Sequence, residues 1–276
     1  MDTDRKWLQN KLASGSWPES QRQESLSQGR AEADPEEHVS MSSVATKANK
    51  SISIVIPALN EEAGIGTTIQ SIPRKQLESE GYRVQILVVD NGSTDKTTAV
   101  ATAAGAEVVS EPRRGYGRAY KTGFASASGQ IVATSDADAT YPVEDIPKLV
   151  DLLEKERLDF ITTNRFAFMD KDAMPVLNKV GNRALNLFMR VLYRIRIEDS
   201  QSGFWVFRKS ILERLMLRSD GMPFSEELKL EACYYGRLRW KECPIRYKAR
   251  KGQRKLRIWR DGVQNLSYLT RKRVLR

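Results

Sequence analysis

The chain has 276 residues, of which 40% are hydrophobic, and it carries a formal net charge of +10. This length suits one large domain or two small ones with a substantial core. Two cysteines are too few for a disulfide framework, and a single histidine, His38, argues against a zinc site or histidine-based catalysis. No run approaches the roughly 18 apolar residues of a membrane span, and the first residues lack the apolar core of a signal peptide. We therefore expect a cytoplasmic enzyme in a reducing compartment.

The positive charge is concentrated at one end of the chain. Residues 1–50 hold 7 Lys/Arg and 8 Asp/Glu, a net charge of −1, whereas residues 237–276 hold 15 Lys/Arg and 2 Asp/Glu, a net charge of +13. Residues 1–48 are rich in Ser, Gln, Glu and Ala without periodicity, which predicts a disordered extension. The basic end is compatible with a solvated surface, a nucleic-acid footprint or contact with anionic lipid.

Strand and helix patterns alternate from residue 51 to residue 250. A β-branched run at 51–57 predicts the first strand, and helical spacing at 60–72 predicts the first helix. The other predicted strands are 84–90, 106–110, 130–136, 158–166, 202–210 and 238–250, and the other predicted helices are 94–105, 117–129, 142–156, 174–195 and 224–236. This alternation predicts an α/β fold with a mostly parallel sheet and helices on both faces.

Acidic residues stand where two of the predicted strands end. Asp90 ends the strand at 84–90, and Asp136 and Asp138 follow the buried strand at 130–136. Ligands of open α/β sheets bind beyond the carboxyl ends of the strands, where these side chains would converge. Two neighbouring carboxylates stay ionised together only beside a positive group, and Mg²⁺ or Mn²⁺ on a substrate diphosphate fits that need. We predict a metal and phosphate site with Asp136 and Asp138 as the metal ligands.

Three other motif interpretations do not hold. The segment at 90–95 begins like an EF-hand loop, but Ala101 stands where the final glutamate is required. The segment at 115–123 has Tyr120 where a P-loop or dinucleotide motif needs glycine, so at Gly115 and Gly117 an ordinary turn and a close approach to a ligand both remain open. The segment at 135–140 is similar to the first motif of haloacid-dehalogenase-type phosphatases, but the later acidic pair of that family does not occur after residue 140.

Five segments in order resemble the family 2 glycosyltransferases with a GT-A fold, in particular the branch of dolichyl- or polyprenyl-phosphate sugar synthases. They are SIVIPALNEE (53–62), VVDNGSTDKT (88–97), RRGYGRAYKTG (113–123), DADATYPVED (136–145) and DSQSGFWVFRK (199–209). A sixth segment, RKGQRKL (250–256), is similar to a later stretch of the family. The resemblance covers about residues 51–262, and it implies a single Rossmann-like GT-A domain at 51–250. The charge and the apolar spacing of residues 251–276 predict a basic amphipathic tail after this domain.

The resemblance also implies roles for individual residues, with Asp136 and Asp138 holding Mg²⁺ or Mn²⁺. Asp199 would be a positioning group or base, and Arg165, Glu226 and Glu227 complete the implied catalytic set. The implied substrate-binding residues are Pro57, Leu59, Asn60, Glu61, Asp90, Asn91, Gly115, Asp136, Ala137, Arg250 and Lys255.

The implied reaction is a metal-dependent, inverting transfer of a sugar from a nucleotide sugar of the GDP-mannose or UDP-glucose type. The acceptor would be a polyprenyl or dolichyl phosphate at the cytoplasmic face of the membrane. Asn91 replaces the second acid of the family's Asp-Asp pair, and Thr140 stands where mannosyl-phosphate synthases often have glutamine. The resemblance therefore does not identify the sugar or the nucleotide base of the donor. The alternative is transfer to a hydroxyl of a glycan or small molecule.

The tail sets a further choice. Apolar residues recur at roughly helical spacing among the cationic residues of the tail: Leu256, Trp259, Val263, Leu266 and Leu269. This spacing predicts either an interfacial helix on the membrane surface or a helix packed on the domain. A non-catalytic module that binds RNA or membrane on the same fold is the third hypothesis. Nucleic-acid binding is not expected, because RNA-binding signatures with stacked aromatic residues are absent.

Overall fold

A computed structural model of the chain describes residues 50–171, 173–250 and 258–275. The predicted disordered segment 1–48 and the predicted phosphate ligand Lys255 lie outside these residues. The strands of this part are β1 (Lys50–Ala58), β2 (Tyr82–Asp90), β3 (Glu107–Ser110), β4 (Ile131–Thr134), β5 (Phe160–Met169), β6 (Val206–Arg208) and β7 (Trp240–Tyr247). The α-helices are α1 (Ile65–Gln70), α2 (Arg74–Ser79), α3 (Thr97–Ala103), α4 (Tyr116–Ser126), α5 (Ile146–Lys155), α6 (Val176–Tyr193), α7 (Phe224–Lys229) and α8 (Ile258–Leu275).

The strands form one seven-stranded sheet in the order β3-β2-β1-β4-β6-β5-β7. All neighbouring strands are parallel except β6, which is antiparallel to β4 and to β5. The central strands β1 and β4 are apolar and almost continuously buried, as expected of parallel strands covered on both faces. The prediction of a mostly parallel α/β sheet is confirmed.

Several elements differ from the predicted boundaries for local reasons. β6 is three residues long instead of nine, because residues before it bond as a loop: the Thr134 hydroxyl donates to the Gly203 carbonyl and accepts from the Trp205 amide. β5 continues to Met169 rather than ending at 166, with irregular pairing to β7 between residues 164 and 168. The segment at 224–236 is α-helical only to Lys229 and continues as a π-helix over Leu230–Tyr235.

One helix was not predicted at all. α2 spans six residues and buries only Leu77, so its sequence contains too few apolar positions to show a period.

Aromatic packing joins the sheet to the helices that carry the later part of the chain. Tyr120 of α4 stacks on Phe224 of α7 with ring centroids 5.7 Å apart, and it also contacts Trp205 at 5.1 Å. Phe124, one turn along α4, meets Phe207 of β6 edge to face at 5.3 Å. These five rings form one buried cluster, so α4 connects β1 and β2 to the segments around β6 and α7.

The C-terminal helix α8 packs on the domain through one face. Leu269 is fully buried, and the Tyr193 hydroxyl of α6 donates a 2.7 Å hydrogen bond to its carbonyl. Lys272 forms ion pairs with the buried carboxylates of Glu227 at 3.2 Å and Glu231 at 2.7 Å. The described part of the predicted tail is therefore a helix held by both apolar and ionic contacts. Within the described ranges, no helix combines the length and the hydropathy needed to cross a membrane.

Replacing Gly123 by alanine should test the close packing of α4 on the sheet. An added Cβ would press against Val55 Cγ1 and lie 3.0 Å from Val89 Cγ2, so we expect overpacking to lower the free energy of unfolding by about 1–3 kcal/mol. Gly181→Ala in α6 is the matched control, because its added Cβ would have no neighbour within 4 Å and would raise helix propensity. Urea denaturation measures both variants, and equal stability of the two would contradict this account.

Candidate active site at the carboxyl edge of the sheet

The two predicted metal ligands follow β4 in a constrained turn. Asp138 is buried, and its Oδ1 accepts hydrogen bonds from the Thr140 hydroxyl at 2.6 Å and the Thr140 amide at 3.2 Å. Ala139, between Asp138 and Thr140, has a left-handed backbone with φ of 61°, and its amide donates to the Thr68 hydroxyl of α1 at 3.0 Å. This conformation is unfavourable for alanine, so the surrounding hydrogen bonds must hold it. The same hydrogen bonds fix the position of the Asp138 carboxylate.

Asp136 lies among groups that leave it little room. A Cβ added to Gly203 would lie 2.6 Å from the Tyr116 hydroxyl and 3.4 Å from Asp136 Oδ1, so a larger residue there would displace the Tyr116 side chain. The Gly203 amide donates to the Tyr141 hydroxyl at 2.7 Å, which fixes the loop beside the carboxylate. Burial and the negative charge of Asp138 raise the pKa of Asp136 to about 7 against the opposing charges of Arg165 and Arg250. This environment favours a cation next to the two carboxylates.

The turns after β1 and β2 are bonded to each other. Asn60 has a left-handed backbone with φ of 50°, its amide donates to the Ser93 hydroxyl at 2.9 Å, and its side-chain oxygen accepts from the Thr94 amide at 2.7 Å. Asp90 at the end of β2 accepts from the Ser93 amide at 3.1 Å. These bonds form one polar rim next to the β4 turn.

Asn91 connects the end of β2 to the turn before α4. Its side-chain amide donates to the carbonyls of Glu111 and Arg113, both at 2.8 Å, and its oxygen accepts from the Gly115 amide at 2.8 Å. An ionised carboxylate could not make the two donated bonds, which explains asparagine at this position. Gly115, with φ of 151°, lies against the carbonyl of Asp220, so its close neighbour in the structure is protein backbone.

Arg250 connects the rim to the β4 turn. Its Nη1 lies 3.2 Å from Asp138 Oδ2, and its Nη2 bonds the carboxylate of Glu61. A Cβ on Gly64 would lie 2.7 Å from the Ala137 carbonyl, so the two turns are also in direct contact. The predicted residues that the structure brings to this edge are Pro57, Leu59, Asn60, Glu61, Asp90, Asn91, Gly115, Asp136, Ala137, Asp138 and Arg250.

Arg165 and Asp199 form a buried bidentate pair next to this rim. The guanidinium donates to the carboxylate at 2.7 Å and 2.9 Å, and the Arg165 amide adds a third bond at 3.0 Å. Burial alone would raise the pKa of Asp199, but the Arg165 charge outweighs it and holds that pKa below its usual value. Glu242 accepts from the amides of residues 198 and 199 at 2.8 and 2.9 Å. Asp199 is therefore a poor base, and its contacts favour a positioning role.

The two predicted acids of α7 differ in what they contact. Glu227 accepts hydrogen bonds from the Ser219 amide at 2.7 Å, the Tyr268 hydroxyl at 2.6 Å and Lys272, so it joins a loop to α8. Glu226 accepts from the Gln201 amide group, and its Oε2 is buried without a hydrogen-bond partner in the described residues. Burial raises the pKa of Glu226 to about 8, so this carboxyl is mostly protonated at neutral pH.

Several side chains that support the site were not predicted from the sequence. Lys229 is fully buried and donates to the carbonyls of Ser200 and Ser202, both at 2.7 Å, which anchors the loop from Asp199 to Gly203. Asn265 of α8 donates to Gln201 at 3.2 Å, a contact between segments far apart in the chain. The spacing of Lys229 after Glu226 and the polar/apolar alternation around Glu242 are both typical of solvated faces, so no local signal distinguishes these residues. Tyr141 was detectable only as an aromatic residue beside the acidic turn.

Glu226→Gln should change how stability depends on pH. The folded-state pKa near 8 lies above the ordinary value of 4.5, so the stability that Glu226 contributes is complete below about pH 4.5 and is lost as the pH rises towards 8. At about 1.4 kcal/mol per pKa unit, wild type should lose roughly 2–4 kcal/mol relative to the variant between pH 5 and 8. Urea denaturation across that range measures it, with exposed Glu213→Gln as control. Parallel profiles for wild type and Glu226→Gln would contradict the assignment.

Comparison with known proteins places this geometry in a family. The family described as glycosyl transferase family 2 matches residues 53–216. The chain is 33% identical over 220 residues to the low-salt glycan biosynthesis hexosyltransferase Agl6 of Haloferax volcanii, covering 79% of this chain and 52% of that protein. It is 30% identical over 212 residues to the dolichyl-phosphate hexose transferase of the same organism, covering 77% and 89%. The chain thus spans about half the length of Agl6 and most of the second relative.

A solved structure shows the same architecture. Glucosyl-3-phosphoglycerate synthase from Mycobacterium tuberculosis, in complex with Mn²⁺, uridine diphosphate and glucosyl-3-phosphoglycerate, superimposes with a TM-score of 0.64. The sequence identity is 27%, and the match covers 83% of this chain and 81% of that one. The predicted GT-A fold is confirmed by this likeness and by the sheet order. The chain belongs to glycosyl transferase family 2, in the branch similar to dolichyl- and polyprenyl-phosphate sugar synthases, and it is a glycosyltransferase.

Proposed function

We propose that the chain transfers a hexose from a nucleotide sugar to a polyprenyl or dolichyl phosphate at the cytoplasmic face of the membrane. The observation that carries this proposal is the carboxylate pair at the sheet edge, with Asp138 buried and Asp136 half-buried, bordered by Arg250 and the bonded turns after β1 and β2. The names of relatives, among them the dolichyl-phosphate hexose transferase, support the lipid-phosphate acceptor.

We propose that Asp136 and Asp138 hold Mg²⁺ or Mn²⁺ together with the donor diphosphate. Carboxylate oxygens suit these hard cations, and burial together with the negative charge of Asp138 raises the pKa of Asp136. In the described ranges, no group of three or more His, Cys, Asp and Glu side chains is arranged to hold a metal ion. Oxygens of the substrate would therefore complete the coordination, and the bound ion would stabilise negative charge on the leaving diphosphate.

We assign the nucleoside to the rim formed by Pro57, Asn60, Glu61 and Asp90. Glu61 and Asp138 share the guanidinium of Arg250, and in the donor complex a phosphate would replace one of these carboxylates as its partner. Arginine suits this exchange, because its planar fork binds carboxylates and phosphates with the same geometry.

The acceptor chemistry explains the lack of an obvious base. An ionised phosphate oxygen of the acceptor forms the new bond to the anomeric carbon while the bond to the diphosphate oxygen breaks in line, which inverts the configuration. No proton has to be removed from such an acceptor. Both candidate bases are unsuited to that task, since Asp199 is paired with Arg165 and Glu226 is protonated at neutral pH.

Transfer to a hydroxyl acceptor is the second candidate. The observation that favours it is the likeness to glucosyl-3-phosphoglycerate synthase, whose name indicates a small phosphorylated acceptor. A hydroxyl acceptor would require a base, whereas Asp199 is paired with Arg165 and Glu226 is mostly protonated at neutral pH. The lipid phosphate therefore agrees better with the site.

Asp138→Asn should abolish most activity, because the amide keeps the shape but loses the charge that binds the metal and diphosphate. We expect kcat/KM to fall by about a hundredfold or more, equivalent to about 3 kcal/mol. The measurement is the release of nucleoside diphosphate in the presence of Mn²⁺. Asp151→Asn on the exposed face of α5 is the matched control and should behave as wild type. Activity of Asp138→Asn within about twofold of the control would refute the metal assignment.

An acceptor series should separate the two candidate functions. UDP- and GDP-sugars are incubated with short-chain polyprenyl phosphate, with the matching polyprenol, or with 3-phosphoglycerate, and the glycosylated product is identified by mass. We expect product only with polyprenyl phosphate, and an anomeric configuration opposite to that of the donor. Product with 3-phosphoglycerate and none with the lipid would favour the hydroxyl acceptor, and product with the polyprenol would contradict the phosphate mechanism.

A further inference from the structure

The outer face of α6 exposes a row of large apolar side chains. Val176, Val180, Leu187 and Val191 are 76%, 57%, 60% and 71% exposed, and Leu177 is 47% exposed. The positions repeat at three, four and seven residues along the helix, which places them on one side of it. Core packing accounts for the opposite side, where Leu185, Met189 and Tyr193 are buried, but not for this row.

Cations border this apolar row, and acids are missing from the helix. Arg183 and Arg190 are exposed and lie, by helical spacing, along one edge of the row. The 18 residues of α6 contain Lys179 and these two arginines but no aspartate or glutamate. An apolar row edged by arginine is the pattern of a helix that lies in a lipid interface, because long cationic side chains reach lipid phosphates from an apolar surface.

The neighbouring helix α8 has the same pattern on its solvent side. Val263, Leu266 and Val274 are exposed and line one shallow surface depression together with Thr270 and Arg271. α8 packs against α6, and its buried positions, Asn265 and Leu269, face the domain. Two contacting helices thus each leave an apolar row unburied, and we name these two rows the α6/α8 surface.

We infer that the α6/α8 surface binds the interface of an anionic lipid bilayer. The charge of its borders selects this occupant: Arg183 and Arg190 on α6 and Arg271 on α8 complement lipid phosphates. A second copy of the chain meeting this surface face to face would bring the same arginines together, which is unfavourable for a symmetric dimer. The inference rests on one part of the proposed function, namely that the acceptor is a lipid phosphate. It does not depend on which sugar is transferred.

The same helix also connects this surface to the site. On the buried side of α6, Asn186 accepts from the amide of Ser200 at 2.9 Å and donates to the carbonyl of Glu198. It therefore holds the loop that carries Asp199, the partner of Arg165. With the α6/α8 surface on a bilayer, the loop beside the site would lie one helix away from the lipid that presents the acceptor phosphate.

Vesicle binding by the full chain tests this inference without any sugar transfer. Wild type should co-sediment with vesicles of phosphatidylcholine containing about 30% phosphatidylserine, less with phosphatidylcholine alone, and less as salt is raised. Val180→Glu/Leu187→Glu should weaken binding at least tenfold. Lys75→Glu is the control, because it makes the same net charge change of −2 at an exposed position on α2. Circular dichroism confirms that the variants fold.

The possible outcomes assign the surface. Loss of vesicle binding in the double variant, with binding kept in Lys75→Glu, supports the inference. Equal binding by both variants, or no binding by wild type, overturns it. A wild-type dimer that the double variant dissociates, without vesicle binding, would assign the surface to a second copy. Sugar transfer to a detergent-solubilised polyprenyl phosphate is measured in parallel. Absence of this transfer would contradict the proposed function, whatever the vesicle binding shows.

Discussion

Two carboxylates separated by one residue, the half-buried Asp136 and the buried Asp138, impose the charge constraint around which the site is built. Burial and mutual repulsion raise the pKa of Asp136 to about 7, and Arg250 supplies part of the missing positive charge by pairing with Asp138. The backbone adapts to them as well, since Gly203 and Gly64 leave no room for a side chain where their segments approach the acidic turn. A metal ion bound together with the donor diphosphate would supply the remaining positive charge. The site would then be complementary to the metal–diphosphate pair rather than to the metal or the diphosphate alone.

Behind this edge, further buried charges determine the position of the loop that faces it. Asp199 pairs with Arg165, and Lys229 donates to the carbonyls of Ser200 and Ser202. Buried ion pairs contribute little net stability, but removing one partner is strongly destabilising, by about 3–5 kcal/mol. Such a network therefore fixes one arrangement of the loop. The contact of Asn265 with Gln201 extends the connection to α8, so the helix that borders the proposed lipid surface also contacts the site loop.

Much of the sheet and of its acidic edge could be predicted from sequence, because parallel buried strands appear as β-branched runs and their carboxyl ends converge by topology. Asn60, Asp90 and the Asp136–Asp138 turn were identified in that way. The supporting residues could not be, since Lys229 and Glu242 are buried only through contacts distant in sequence. The exposed row of α6 was hidden for the opposite reason. Its apolar residues have the spacing of a core helix, and only tertiary structure shows that two sides of α6 are apolar and one of them is uncovered.

Binding of Mn²⁺ followed by electron paramagnetic resonance, with and without UDP or GDP, tests the central claim most directly. If Asp136 and Asp138 hold the ion together with the diphosphate, the cognate nucleotide should tighten Mn²⁺ binding by about tenfold or more, and Mn²⁺ should tighten nucleotide binding equally. Asp136→Asn and Asp138→Asn should each remove this coupling, whereas Asp151→Asn should keep it. Unchanged coupling in both site variants would contradict the account, because the ion would then be held elsewhere.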